Sequence, residues 1–138
     1  MIRPARADEA AALLALWRTA GSSPSVTDDV ESVRGAIGRQ GSAVLVAEDG
    51  GGRIVGSLIA AWDGWRGNMY RLAVLPDRRR EGIATALVRE GECRLKAAGA
   101  RRLAAVVLDG DGAAAAFWAR AGYVLQEEAG RFTKSFGG

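Results

Sequence analysis

The stretch Leu72-Ala73-Val74-Leu75-Pro76-Asp77-Arg78-Arg79-Arg80-Glu81-Gly82-Ile83-Ala84-Thr85-Ala86-Leu87 constrains the fold more than any other part of the chain. An apolar strand, 68–75, stops at Pro76, a short basic loop follows, and a helix opens near Glu81 and runs to Ala98. Ala84, Leu87, Val88, Gly91, Leu95 and Ala98 recur at helical spacing and form one inward stripe. Gly99 supplies the left-handed residue that ends a helix. Arg102 to Leu108 is then a wholly apolar run, the pattern of a strand covered on both faces. Strand, helix and strand in this order imply a right-handed parallel crossover. The first turn of the helix leaves backbone N–H groups without internal partners at the positive end of the dipole, a ready anion site. Gly82 lacks a Cβ, so a phosphate can approach the backbone, and Ala84 keeps the next position small. Arg78, Arg79 and Arg80 bring positive charge beside it. Taken alone, the same residues equally describe a βα turn with a solvated basic loop.

The flanking segments supply the rest of an α/β domain. Ala7 to Ala20 reads as a helix with Asp8 and Glu9 at its anion-favouring end and Ala10, Leu13, Leu14 and Trp17 on one face. Thr27 or Ser25 can cap a second helix ending at Ile37, with Val30, Val33 and Ile37 on one side. Ser42–Glu48, Arg53–Trp62 and Asn68–Leu75 form an antiparallel meander, its first turn made by Asp49-Gly50-Gly51-Gly52. Asp111 caps a short helix that stops at Gly122, and Tyr123–Glu128 and Phe132–Phe136 are expected to close the chain as two strands.

Composition narrows the chemistry. A chain of 138 residues fits one domain, 1–138, with no linker or repeat. There is no histidine, which removes the commonest general base and metal ligand, and the single cysteine, Cys93, makes no intrachain disulfide. No metal is expected. Acidic residues in the opening stretch argue against a secretory leader, and no apolar run approaches the roughly 20 residues of a membrane span. A cytoplasmic protein with neither membrane nor nucleic-acid partner is expected. The net charge is only +3, and its one arginine cluster suits a phosphate-bearing ligand better than a nucleic-acid track.

Arg79-Arg80-Glu81-Gly82-Ile83-Ala84 resembles the (Gln/Arg)-x-x-Gly-x-(Gly/Ala) pyrophosphate loop of the GNAT superfamily of N-acetyltransferases. The preceding Leu-Ala-Val-x-Pro resembles that family's fourth strand, and Ile2-Arg3-Pro4-Ala5 its first. Asp111-x-x-Ala114-x-x-Phe117-Trp118-x-x-x-Gly122-Tyr123 looks like its Asn-x-x-Ala-x-x-Phe-Tyr-x-x-x-Gly-Phe segment. The element order fits over nearly the whole chain, and the likeness is nearest to compact bacterial members of the YpeA-like kind. The resemblance implies a mixed α/β (α+β) fold: four helices around a central sheet of about six to seven strands whose fourth and fifth splay apart. Acetyl-CoA, as co-substrate, would lie in that cleft. The backbones of Leu72, Ala73 and Val74 would pair with its acetyl and pantetheine portion. The N–H groups of Arg79, Arg80, Glu81, Gly82, Ile83, Ala84 and Thr85 would hold its pyrophosphate, and one of Arg78, Arg79 or Arg80 would reach the ribose 3′-phosphate. The implied reaction is direct attack of a primary amine on the thioester, with the Val74 N–H stabilising the oxyanion.

Two positions depart from the family pattern. Trp118 stands where relatives carry a tyrosine acid beside the sulfur, and an indole N–H donates a hydrogen bond without delivering a proton. Asp111 replaces an asparagine that contacts pantetheine; a carboxylate only accepts, and helix capping is its expected work. A general base is missing from its usual place, where Asn68-Met69 stands. Asp28, Asp29, Glu31 and Asp63 are candidates, each also readable as a surface charge, and Tyr70 is a further polar group near the groove. Deprotonation through ordered water is the alternative. Cys93 is read as structural. The rival function is a non-catalytic CoA-binding sensor or partner module, separated from the enzyme only by turnover. A homodimer stays open, since such small domains commonly pair.

Overall fold

In the computed structural model the described residues are 1–107 and 111–136. Along the chain lie β1 (Ile2–Pro4), a 3₁₀ turn (Ala7–Glu9), α1 (Ala10–Ala20), α2 (Val30–Ile37), β2 (Ala43–Glu48), β3 (Ile54–Trp62), β4 (Gly67–Val74), a second 3₁₀ turn (Pro76–Arg78), α3 (Ile83–Ala98), β5 (Leu103–Ala105) and α4 (Gly112–Arg120). The strands form one five-stranded sheet in chain order, antiparallel from β1 to β4 and parallel between β4 and β5.

The two faces of the sheet are covered by different helices because β3 alternates. Leu58 and Ala60 face α3, where Gly91 lets the helix come so close that a Cβ there would meet Leu58 Cδ2 at 2.8 Å. Ser57 faces α1 and receives a hydrogen bond of 2.9 Å from Trp17 Nε1. Leu13, Leu45, Leu58, Leu87 and Leu95 are fully buried between these layers. The inward stripe read from α3 holds at Leu87, Val88, Gly91 and Leu95; Ala84 is only half-buried, and Ala98, in the last turn, is exposed where the helix runs past the sheet.

Four details differ from the sequence expectation. Residues 123–128 and 132–136 form no strand, so the sheet has five strands rather than six to seven. Their apolar side chains lie on no face: Val124, Leu125, Phe132 and Phe136 are 78%, 80%, 99% and 86% exposed. Local composition favours a strand there, but a strand exists only where a partner edge accepts its hydrogen bonds. The expected strand Arg102–Leu108 is regular only over Leu103–Ala105, and Leu108 lies outside the described residues. The cap of α2 is Asp29, whose side chain accepts from the Ser32 N–H at 2.7 Å, not Ser25 or Thr27, so Val30 opens the helix on its exposed side. Finally, α3 begins at Ile83 rather than Glu81, because Gly82 sits at φ +81°, outside the helical region.

The first residues are stapled by charge. Glu9, nearly buried, accepts from Arg3 at 2.9 and 2.8 Å and from the Arg6 N–H at 2.7 Å, while Arg3 also reaches Glu48 on β2 at 2.9 Å. The hydrogen bond from Arg3, against the opposing cost of burial and helped by Arg6, pulls the Glu9 carboxyl down to about 2. A carboxylate depressed in the folded state gives stability that is whole above its ordinary value of 4.5 and is lost as pH falls towards 2. Glu9→Gln should therefore cost about 1.5–3 kcal/mol at neutral pH, the usual worth of hydrogen bonds to a charged group. It should also flatten the dependence of melting temperature on pH below 4.5; a variant with the wild-type acid slope would refute this. Gly91→Val should lower the melting temperature by several degrees, since overpacking costs about 1–3 kcal/mol. An unchanged melt would mean that α3 stands farther from β3.

Candidate active site

The cleft follows from where β4 loses its partners. On one side β4 pairs with β3 almost throughout; on the other it meets β5 only from Gly67 to Met69. Beyond Met69 the outward edge of β4 has no neighbouring strand among the described residues. Ladder alternation fixes what that edge presents. The Leu75 N–H donates to Val55 on β3 at 2.9 Å, so Leu75 and, two residues back, Ala73 turn their polar groups inward. Val74, between them, turns its N–H and C=O outward, and Leu72 lies on the same side. The outward carbonyl of Val74 accepts from Arg79 Nε at 3.2 Å.

A bulge sets this register. Ser57 pairs with Ala73 but Ile59 with Tyr70, so two residues of β4, Arg71 and Leu72, oppose the single Leu58. Arg71 takes φ +54°, uncommon for a residue with a side chain. Its carbonyl accepts from the fully buried Ser57 hydroxyl at 2.8 Å, and Ser57 is in turn held by Trp17. The sequence reading missed Arg71 altogether, because a single arginine inside an apolar strand reads as a solvated side chain. No pattern within the strand signals it, because the bulge is fixed by the Ser57 hydroxyl reaching the Arg71 carbonyl.

The outward edge runs into the basic loop. The backbone N–H groups of Arg79 through Thr85 donate to no acceptor among the described residues. Arg80 at φ +65° and Gly82 at φ +81° turn the backbone sharply at the head of α3, as successive N–H groups do in an anion-binding nest. The space around Gly82 is open, so its lack of a Cβ matters for the left-handed backbone rather than for clearance alone. The three arginines differ. Arg78 is held by Glu81 at 3.1 Å and by Asp49 at 3.7 Å. Arg79 spans the carbonyls of Val74 and Ala20. Arg80 is exposed and has no ion pair among the described residues. Glu81 thus serves Arg78, Ile83 lies against β3 beneath Gly56, and Ala84 is half-buried.

Trp118 is buried, edge-on to Phe117 at 5.4 Å and to Tyr123 at 4.8 Å. The Tyr123 hydroxyl donates to Glu92 on α3 at 2.7 Å; burial, then that carboxylate, holds its pKa well above the usual phenol range. Asp111 caps α4 by accepting from the Ala114 N–H at 3.0 Å. The base candidates scatter. Asp28 pairs with Arg71 at 2.6 Å, Asp29 caps α2, and Asp63 closes the β3–β4 turn. The N–H groups of Arg66 and Trp65 hold Asp63 below the usual carboxylate range. Glu31 is exposed on α2, Tyr70 is 43% exposed on β4, and Cys93 is exposed on α3. Among the described residues no group of histidine, cysteine and carboxylate side chains could hold a metal ion, and no helix is long and apolar enough to cross a membrane.

Comparison with known proteins agrees with this geometry. A family model described as the acetyltransferase (GNAT) family matches residues 10–123. An acetyltransferase of Pectobacterium atrosepticum is 35% identical over 102 residues, 74% of this chain and 72% of the relative. Among solved structures, an aminoglycoside 6′-N-acetyltransferase of Acinetobacter haemolyticus has the same fold, with a TM-score of 0.80 at 21% identity and 99% of each chain covered. A protein of Mycobacterium tuberculosis solved in complex with CoA has a TM-score of 0.74 at 21% identity, over 92% of this chain and 73% of its own. The parallel pair that parts beyond Met69, the unpartnered N–H groups at the head of α3 and a family match spanning both belong together: the chain is a member of the GNAT family of acetyltransferases.

Proposed function

We infer that the protein moves an acetyl group from acetyl-CoA to a primary amine by direct attack, with no covalent enzyme intermediate. The observation that carries this reading is the outward edge of β4 at Val74, which leads straight into the unsatisfied N–H groups at residues 79–85. Acetyl-CoA is a substrate here, and the cleft offers what each part of it needs. The N–H cradle and helix dipole suit the pyrophosphate. Arg80, exposed and unpaired among the described residues, suits the ribose 3′-phosphate, whereas Arg78 and Arg79 are engaged within the protein. Leu72 and Val74 offer strand-like backbone partners to the pantetheine, and the Val74 N–H an oxyanion donor. Asp111 is committed to its cap and Trp118 to its aromatic cluster, so Trp118 acts as a wall rather than an acid.

The thiolate needs little help. A thiol with pKa near 8.5 is partly ionised at neutral pH, and general acid assistance is typically worth about 10²–10⁴-fold, so its absence gives a slow enzyme rather than a dead one. Asp28, Asp29 and Asp63 are each engaged in an ion pair, a cap or a turn, and Glu31 lies exposed on the first turn of α2, which supports loss of the amine proton through water. The acceptor amine is to be found by a panel. The Acinetobacter protein is named for an aminoglycoside amine, and that class joins polyamines, amino acids and peptide N-termini in the panel to be tested. Acetyl-CoA turnover on that panel, scored by free CoA, is the deciding experiment; CoA binding with no turnover on any amine would favour a binding module.

CoA at about 100 times its dissociation constant should stabilise the protein by about 2.7 kcal/mol. Gly82→Val, forced to φ +81°, should abolish that shift. Arg80→Ala should weaken CoA but leave binding of 3′-dephospho-CoA and the melting temperature of the free protein unchanged. An unshifted melt at millimolar CoA would sink the reading. Trp118→Phe should lower the melting temperature while leaving turnover within about tenfold, less than the loss of a general acid. A loss of a hundredfold or more with CoA affinity intact would give the indole a role in the chemistry.

A further inference from the structure

Arg71 does two jobs at once. Its backbone forms the β4 bulge, with the carbonyl tied to Ser57, and its side chain leaves the sheet for the segment between α1 and α2. One guanidinium nitrogen donates to Asp28 Oδ1 at 2.6 Å and the other to the Ser23 carbonyl at 2.9 Å, 43 and 48 residues away in sequence. The guanidinium lies 5.2 Å from the ring centroid of Trp17, the indole that also holds Ser57. Both partners of the Arg71–Asp28 pair are largely shielded, with side chains 18% and 23% exposed.

Residues 22–28 have little else to fix them. No helix or strand forms there, and the remaining hydrogen bonds of Ser25, Thr27 and Asp28 are local: Asp28 N–H to the Ser25 carbonyl, Ser25 N–H to Asp28 Oδ2, and Ser25 with Thr27. At the start of the segment Arg79 holds the Ala20 carbonyl. Farther along, Arg71 is the tie to the sheet. Its position is telling: Leu72, the next residue, begins the outward edge assigned above to the thioester. The α3 face of the sheet is closed by Ile83 and Leu87 against Gly56. An amine approaching Val74 from the other side would pass residues 22–28, since Arg79 joins the Val74 carbonyl to the Ala20 carbonyl at the start of that segment.

We propose that Arg71 is a positioning residue for the acceptor: by clasping Asp28 and Ser23 it seats the α1–α2 segment beside the thioester edge of β4 and so determines how tightly the amine is held, without contributing to CoA affinity. This rests on the reading given under Proposed function. Because Asp28 is consumed by the clasp, it is the segment's anchor and not its base.

The test uses Arg71→Lys and the isosteric Asp28→Asn, which leaves the bulge untouched, with CoA as the cofactor probe. Both variants should speed amide hydrogen exchange across residues 22–28 by tenfold or more, while the CoA dissociation constant stays within twofold. On the panel amine that releases most CoA, KM for the amine should rise about tenfold with kcat within threefold. The double variant should be no worse than either single one, since both break the same link. Unchanged exchange at 22–28, additive losses, or weakened CoA binding would each overturn the proposal. Failure of the wild type to bind CoA would instead refute the cofactor reading, and the exchange measurement would still decide the clasp.

Discussion

The architecture of the cleft hangs on one buried relay of hydrogen bonds, from the Trp17 indole to the Ser57 hydroxyl and on to the Arg71 carbonyl. A serine with no exposure has to satisfy its hydroxyl inside the protein, and an indole N–H facing a sheet has to find an acceptor. Each meets the other's need, and the remaining capacity of the hydroxyl goes to a carbonyl of β4. That carbonyl is available only because Arg71 leaves the extended region. The extra residue shifts the register of β4 by one, so Val74 rather than Leu75 turns its N–H away from β3. A polar contact between a helix and the sheet thus decides which backbone group faces the cleft.

The same constraint explains how the layers divide their work. The α3 face is apolar and close, with Gly91 admitting Leu58 and Gly56 lying under Ile83 and Leu87. The α1 face is where polar groups cross between helix, sheet and the α1–α2 segment. On the proposed reading, the apolar side carries the donors at the head of α3 and the polar side meets the acceptor.

Much of this was legible in the sequence, for identifiable reasons. The βαβ unit around residues 72–105 was readable because Pro76, Gly82 and Gly99 punctuate it and the α3 stripe repeats without interruption. The cap at Asp111 was readable because capping is local chemistry. Two misses were local, the cap of α2 at Asp29 and the start of α3 after Gly82, but most of what escaped was decided at long range. Residues 123–128 and 132–136 have the composition of strands, but pairing depends on an edge elsewhere in the chain. The bulge at Arg71 depends on a serine and a tryptophan 14 and 54 positions away in sequence, and no pattern within β4 announces it. The roles of Arg78, Arg79 and Arg80 were indistinguishable in a run of identical residues; only the positions of Glu81, Asp49 and two carbonyls separate them.

That separation bears on how the protein meets ions in solution. Arg78 already carries its counter-charges, whereas Arg79 keeps its charge on two neutral carbonyls and Arg80 is unpaired among the described residues, so the free positive charge of the loop is that of two arginines rather than three. On the proposed reading, a polyanion such as CoA would be drawn by these two charges and held at contact by backbone dipoles at the head of α3, which act over short distances. Surface charges are screened beyond a Debye length of about 8 Å at physiological ionic strength, whereas dipoles in contact with a phosphate are affected far less. A cradle made this way would lose long-range steering in concentrated salt while keeping the short-range grip of its backbone donors.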